Sequence, residues 1–224
     1  MKGLATTAPA PLPLTARKAK PRERLYSMEE YLALEETSLD NHEFHNGKLI
    51  PMAGGMPNHS LIKARTVTAL NNKLDASKQS SLVFNSDIRI HLPMFGRAVM
   101  PDAAVVTGTP RFSIEKPVGL LLNPTLIIEV LSEGTESYDR GDKFARYRTL
   151  PSFEEYVLVS QHQPRVETFV KKDGKWFIHE DASGMDASVE LVTLGLHIAL
   201  ADLYRNVVFE EAESGSGKRR RKAS

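Results

Sequence analysis

The sequence predicts an α/β fold, a mixed central sheet flanked by helices. Three observations carry this. A long amphipathic run spans about Asn58 to Ala76, with Leu61, Ile62, Ala64, Arg65, Ala69, Leu70 and Leu74 near one side. The hexapeptide Leu126-Ile127-Ile128-Glu129-Val130-Leu131 is almost continuously apolar, as in a strand buried on both faces. A helix-type segment from about Ser137 to Thr149 follows it, stops at Pro151 and gives way to further β-rich runs.

The remaining elements can be justified in chain order. Ser27 with Glu30 three residues on has the pattern of a capping box and opens a helix over about 27–35. Asn46-Gly47 between Glu43-Phe44-His45 and Lys48-Leu49-Ile50 predicts a tight hairpin. Gly54-Gly55-Met56-Pro57 breaks the chain before the long helix. Leu82-Val83-Phe84, Ile88–Leu92 and Ala103–Val106 read as short strands. So do Tyr156–Val159, Arg165–Val170 and Lys175–Ile178, the last two joined by a turn at Lys172-Asp173-Gly174. Leu196 to Leu203 predicts a strand end and a short helix.

Composition bounds the function. The chain of 224 residues suits one domain, since domains take roughly 100–200 residues. With 41% hydrophobic and 25% charged residues it has globular composition, which excludes a disordered or fibrous chain. No apolar run approaches the ~18 residues of a membrane-spanning helix, and residues 1–9 carry no apolar core of signal-peptide type, so the expected location is cytoplasmic, with no membrane partner. The absence of cysteine excludes disulfide scaffolds, thiol nucleophiles and cysteine-ligated metals.

The net charge of +1 hides a segregation. Residues 1–24 hold six basic side chains against Glu23 alone, and residues 211–224 end in a basic run from Lys218 to Lys222. Both stretches read as disordered tails, the first rich in Pro and Ala, the second opening its basic run with Ser-Gly-Ser-Gly. A single domain is expected over 25–210, and it is acidic. Basic arms on an acidic body suit either nucleic-acid phosphate, by counterion release, or simple solvation.

Glu129 is the most informative residue. It interrupts an apolar strand, and burying a carboxylate without a partner costs several kcal/mol. An edge salt bridge would also satisfy it. Asp102, after Pro101 at the mouth of another apolar strand, puts a second acid in a comparable place. Two such acids repel, and a divalent cation relieves that repulsion; oxygen-only ligation suits Mg²⁺ or Mn²⁺. Lys143, on the following helix, is placed to orient or deprotonate an attacking water or to neutralise developing charge. Asp139 stands four residues before it, where an ordinary surface ion pair is the plainer reading.

Several segments taken together carry a resemblance. Met100-Pro101-Asp102-Ala103-Ala104-Val105-Val106, Pro124–Ser132 with its Ile128-Glu129-Val130, Tyr138-Asp139-Arg140-Gly141-Asp142-Lys143 and Pro151–Val159 stand in order. Met28–Leu32, Glu43–Ile50 and Pro57-Asn58-His59-Ser60 precede them. Over about residues 25–205 the chain resembles the Uma-type restriction endonuclease family, a branch of the PD-(D/E)XK nuclease superfamily. The resemblance implies a restriction-endonuclease-like core with an N-terminal helix–hairpin–helix extension. It also implies a metal-dependent endonuclease hydrolysing DNA to leave a 5′-phosphate, with Mg²⁺ or Mn²⁺ on Asp102, Glu129 and the Val130 main-chain carbonyl. The superfamily's usual lysine position, two after the second acid, is Leu131 here; the Uma-type branch resembles this sequence in moving it to the next helix, which makes Lys143 the candidate. Glu43 resembles the early acidic residue of related nucleases, which implies a catalytic role in helping to bind a metal-bound water, although a surface glutamate in a hairpin has the same pattern. Nucleases that cut both strands often pair two sites, which implies a homodimer.

Other motifs lead less far. His59 faces either a scissile phosphate or, more simply, local hydrogen bonds at its helix start. His42 and His45 are three apart in a hairpin, which is not the i, i+4 helical spacing of a zinc motif. Ser214–Lys218 lacks the glycine and strand of a phosphate loop. Tyr138, Tyr147 and Tyr156 read as packing residues. Two rival functions stand beside the nuclease: a catalytically inactive nuclease fold that binds DNA or protein, and a glycosidase using Asp102 and Glu129, which a nearby lysine and few aromatics disfavour.

Overall fold

The structure is a computed structural model, and it describes residues 24–52, 56–113 and 119–209. The glycine break at 54–55 and almost all of both basic tails lie outside the described residues. Helix α1 (Met28–Glu35) starts on the expected capping box: Ser27 Oγ accepts from the Glu30 amide, and Glu30 Oε2 accepts from the Ser27 amide. Strands β1 (His42–His45) and β2 (Lys48–Pro51) form the hairpin, with Asn46 at φ 51° and Gly47 at φ 88°, the left-handed pair a type I′ turn requires. Gly47 also lies against Leu25, whose Cβ would stand 3.1 Å from any side chain there. Helix α2 (Pro57–Ser77) buries Ile62, Thr66, Ala69, Leu70 and Leu74, while Ala64, expected on that side, is exposed.

Strands β3 (Leu82–Phe84), β4 (Arg89–Leu92), β5 (Arg97–Val99), β6 (Ala103–Val106), β7 (Leu120–Leu121) and β8 (Leu126–Leu131) follow. Next comes one helical run of three pieces: α3 (Glu136–Tyr138), a π-helical turn (Asp139–Lys143) and α4 (Phe144–Tyr147). Strands β9 (Glu155–Ser160), β10 (Arg165–Lys172), β11 (Lys175–Ser183), β12 (Ser188–Leu191) and β13 (Leu196–Ala199) lead to α5 (Leu200–Leu203). The predicted elements are present, most within a residue or two of their expected ends. Strands β5, β7 and β12 add to them; each is a run of two to four residues, too short to show a period.

The central sheet has the order β11-β10-β9-β8-β6-β3 and is mixed, with β8 and β9 parallel and the other pairs antiparallel. Its middle strand β8 is buried along its whole length. Side-chain alternation divides it: Leu126, Ile128 and Val130 face α2, β12, β13 and α5, whereas Ile127 and Leu131 face a cluster built on Phe144, Tyr147, Phe153 and Tyr156. A second sheet, β2-β1-β5-β4-β7, incorporates the N-terminal hairpin through the β1–β5 pairing. The hairpin is therefore part of the core assembly, which is how Glu43 reaches the end of the central sheet at Met100.

A buried polar knot ties α1 to the second sheet. Arg89 bonds the Glu35 carboxylate, Tyr31 Oη at 3.0 Å and Asn41 Oδ1 at 3.0 Å, while His42 Nδ1 meets Glu35 Oε1 at 2.8 Å. Removing one member leaves a buried charge uncompensated. Arg89→Ala is expected to destabilise the fold by about 3–5 kcal/mol in chemical denaturation. Arg89→Met combined with Glu35→Leu should recover most of that loss.

Candidate active site

Asp102 and Glu129 meet because of strand register. Strands β6 and β8 pair Ala104 with Ile127 and Ala103 with Ile128, so one step further Asp102 falls opposite Glu129. Asp102 Oδ2 accepts the Val130 amide at 2.7 Å, which fixes the two acids to one end of the sheet. Glu129 is only 2% exposed, and its Oε1 accepts both Tyr147 Oη at 3.0 Å and Lys143 Nζ at 2.8 Å. Burial pushes the Glu129 carboxyl up, with Lys143 pulling the other way. An edge salt bridge does not describe this residue, since the pair is internal.

Lys143 comes from the π turn of the helical run. Its Nζ lies 2.8 Å from Glu129 Oε1, 3.5 Å from Asp139 Oδ1 and 3.0 Å from the Met100 carbonyl. Three acceptors surround its three hydrogens, so this geometry belongs to an ammonium. Burial alone would lower its pKa, but the carboxylates of Glu129, Asp139 and Glu43 hold it well above the usual lysine value. Asp139 and Lys143 are both buried, so their i, i+4 relation is not a solvated surface pair.

Glu43 arrives from β1. It is buried; Oε1 accepts the Met100 amide at 3.0 Å and Oε2 meets His45 Nε2 at 2.8 Å. Arg97 Nη1 stands 2.7 Å from His45 Nδ1, and a guanidinium can only donate. That sets the tautomer: Nδ1 accepts, and Nε2 carries the hydrogen given to Glu43. Glu43 and Lys143 thus grip the two polar groups of Met100, immediately before Pro101 and Asp102. The hairpin alternative, a surface glutamate, does not hold.

His59 and Lys63 approach from α2. His59 Nε2 donates to the Val130 carbonyl at 2.9 Å and lies 3.5 Å from Asp102 Oδ2; Lys63 Nζ is 3.3 Å from Asp102 Oδ1. These bonds cross the fold, so the expected local bonding of His59 at its helix start is not what the ring does. His42 points to Glu35 and His45 to Glu43, at separate places. Burial would raise the Asp102 carboxyl, but the His59 hydrogen bond and the charges of Lys63 and Lys143 hold it below the ordinary value.

Among the described residues no three His, Asp or Glu side chains form a preformed cage. The chemistry nonetheless fits a hard cation that keeps water and takes one or two carboxylates. Asp102, Glu129 and the Val130 carbonyl supply oxygen alone. Lys143 bears electrostatically on Glu43, Asp102, Glu129 and Asp139 together.

The Uma2 family, described as "Putative restriction endonuclease", matches residues 28–201. The chain belongs to the Uma2 family. Two uncharacterized proteins of Synechocystis are similar to it: one is 37% identical over 185 residues, covering 82% of this chain and 93% of its own length, and the other 30% identical over 167 residues, covering 75% and 93%. A crystal structure described as a putative nuclease belonging to DUF820 from Anabaena variabilis shares the fold, with a TM-score of 0.60 and 19% identity over 80% of this chain and 97% of its own. The restriction-endonuclease-like fold expected for Uma2 proteins is thus the one this chain adopts.

The sequence pattern missed His45, Arg97, Lys63 and the hydroxyl of Tyr147 as site groups. Two had local signals: His45 is two residues from Glu43 in a strand, and Lys63 four from His59 on a helix, each spacing sharing a face. Tyr147 and Arg97 had none, because their partners come from distant elements. The Glu43 arrangement has a pH signature. Burial would raise its carboxyl above 4.5, but the His45 bond, the Lys143 charge and the Met100 amide outweigh burial and lower it. The folded chain binds fewer protons there than the unfolded chain, so this stability is complete above the unfolded value and lost as pH falls through the lowered one. Glu43→Gln should therefore be less stable than wild type at neutral pH in urea denaturation, and the gap should close on acidification.

Proposed function

We propose that this Uma2 protein is a divalent-metal-dependent endodeoxyribonuclease, with Asp102, Glu129 and the Val130 carbonyl as the groups that would hold Mg²⁺ or Mn²⁺. The observation that carries this reading is the lysine. Lys143 sits 2.8 Å from Glu129 although it belongs to a different element from the usual one of the superfamily. When bound, the cation supplies Lewis-acid polarisation of a phosphodiester and a lowered pKa for water.

The chain's own residues do the rest. Tyr147 and Lys143 both donate to Glu129 Oε1, which orients that carboxylate. The Val130 amide does the same for Asp102. Glu43, steadied by His45 and Arg97, holds the Met100 backbone that carries Asp102, and so acts as a positioning residue. Lys143 has all three hydrogens engaged, so its role is that of an ammonium: its charge offsets negative charge developing at phosphorus, and it is not a base. In the overall hydrolysis the water oxygen bonds to phosphorus, the bond to the 3′ oxygen breaks and one proton of the water ends on that oxygen, leaving a 5′-phosphate and a 3′-hydroxyl.

Plasmid DNA incubated with the protein should be nicked in Mg²⁺ or Mn²⁺ and left intact in a chelator. Glu129→Gln and Lys143→Met should each lower the rate on the order of 10²–10⁴-fold. Divalent metal should also raise the wild-type thermal midpoint, and much less so that of Asp102→Asn. Binding of DNA without metal, with no cleavage under any ion, would favour the catalytically inactive binding module instead.

A further inference from the structure

The residues assigned to the metal are already occupied, and the occupants come from one helix. His59 Nε2 sits on the Val130 carbonyl and near Asp102 Oδ2, and Lys63 Nζ sits on Asp102 Oδ1. Both act as donors here, and the Lys63 ammonium has no lone pair with which to ligate a cation. His59 and Lys63 are four residues apart on α2, at the N-terminal end of the same stripe that is anchored in the core by Ile62, Thr66, Ala69, Leu70 and Leu74. The pair therefore projects from a fixed platform. Neither side chain is sealed in: the two are 14% and 26% exposed. His59 is also incompletely satisfied, since its Nδ1 is buried without a partner.

We propose that His59 and Lys63 are the phosphate-gripping pair of this site, held on Asp102 and the Val130 carbonyl until a cation takes those oxygens, and then transferred to the phosphate oxygens of the DNA backbone. The inference rests on the metal-nuclease reading and deepens it. The electrostatics favour the exchange. A divalent charge on Asp102 repels the Lys63 ammonium it displaces, and a phosphodiester arriving beside it offers that ammonium a new anion. The need is acute here, because the body of the chain between its basic ends is acidic and offers little general attraction for DNA. Phosphate oxygens accept from both lysine and histidine N–H groups, so no new chemistry is required of either side chain.

The exchange makes a paired prediction that a merely structural role does not. Without DNA, calorimetry with Mn²⁺ alone should show His59→Ala and Lys63→Met binding the ion about tenfold more tightly than wild type, since each removes a competing charge-assisted bond. In Ca²⁺, a short blunt DNA duplex should bind about tenfold more weakly to either variant, and Lys63→Met should lower the slope of affinity against salt by about one phosphate contact. Lys63→Met keeps its aliphatic stem at a partly exposed position, so it decides the matter if His59→Ala does not fold. Unchanged or weaker Mn²⁺ binding in the variants overturns the inference, and so does tighter Mn²⁺ binding with wild-type DNA affinity and salt slope. Mn²⁺ uptake by the variants and not by wild type supports it. If no form of the protein takes up Mn²⁺, the metal-nuclease reading fails and this inference with it; uptake by the wild type with unaltered variants removes this inference alone.

Discussion

The Lys143 ammonium is the interaction on which the site and much of its surroundings depend. It joins the π turn to β8 through Glu129 and to the strap before β6 through the Met100 carbonyl. Without it, Glu43, Glu129 and Asp139 would be buried as like charges. A buried ion pair of this kind adds little net stability, because desolvating both ions offsets most of their attraction; an apolar pair of similar volume often does as well. Breaking it from one side is costly, about 3–5 kcal/mol. On this balance, the arrangement contributes the position of its charged groups more than net stability.

The π turn is part of the same economy of position. An extra residue in the turn shifts the side chains that follow relative to a regular α-helix, and such turns recur at functional sites. Here the turn brings Asp139 and Lys143 inward, while Phe144 and Tyr147 in the next turn enter the aromatic cluster with Phe153, Tyr156 and Trp176. That cluster forms the apolar wall behind Glu129. The wall lowers the local polarity, which raises the Glu129 carboxyl and strengthens every charge interaction in front of it.

Three structural layers then converge on one end of the central sheet. Strands β6 and β8 supply the paired acids, the second sheet supplies Glu43 with its Arg97–His45 brace, and α2 supplies His59 and Lys63. The second sheet and α2 each have an anchor away from that end. The Arg89–Glu35 knot holds α1 against the second sheet, and the apolar face of α2 holds that helix on the other side. The groups that meet there are therefore positioned by rigid elements, the condition for preorganised chemistry.

Local pattern determined a large part of this protein. The capping box at Ser27, the Asn46-Gly47 turn, the long helix and the apolar strand Leu126–Leu131 follow from propensity and periodicity, which act over a few residues. Asp102 and Glu129 were legible because a carboxylate in an apolar strand is conspicuous, and Lys143 because a family resemblance located it. The tertiary structure alone decided the partners. That Glu43 holds the Met100 amide, that His59 bonds Val130 rather than its own helix, and that Tyr147 and Lys143 share one Glu129 oxygen depend on register between strands and on the approach of elements distant in the chain. Periodicity states which face a side chain occupies. What stands opposite that face is settled only when the sheets and helices pack.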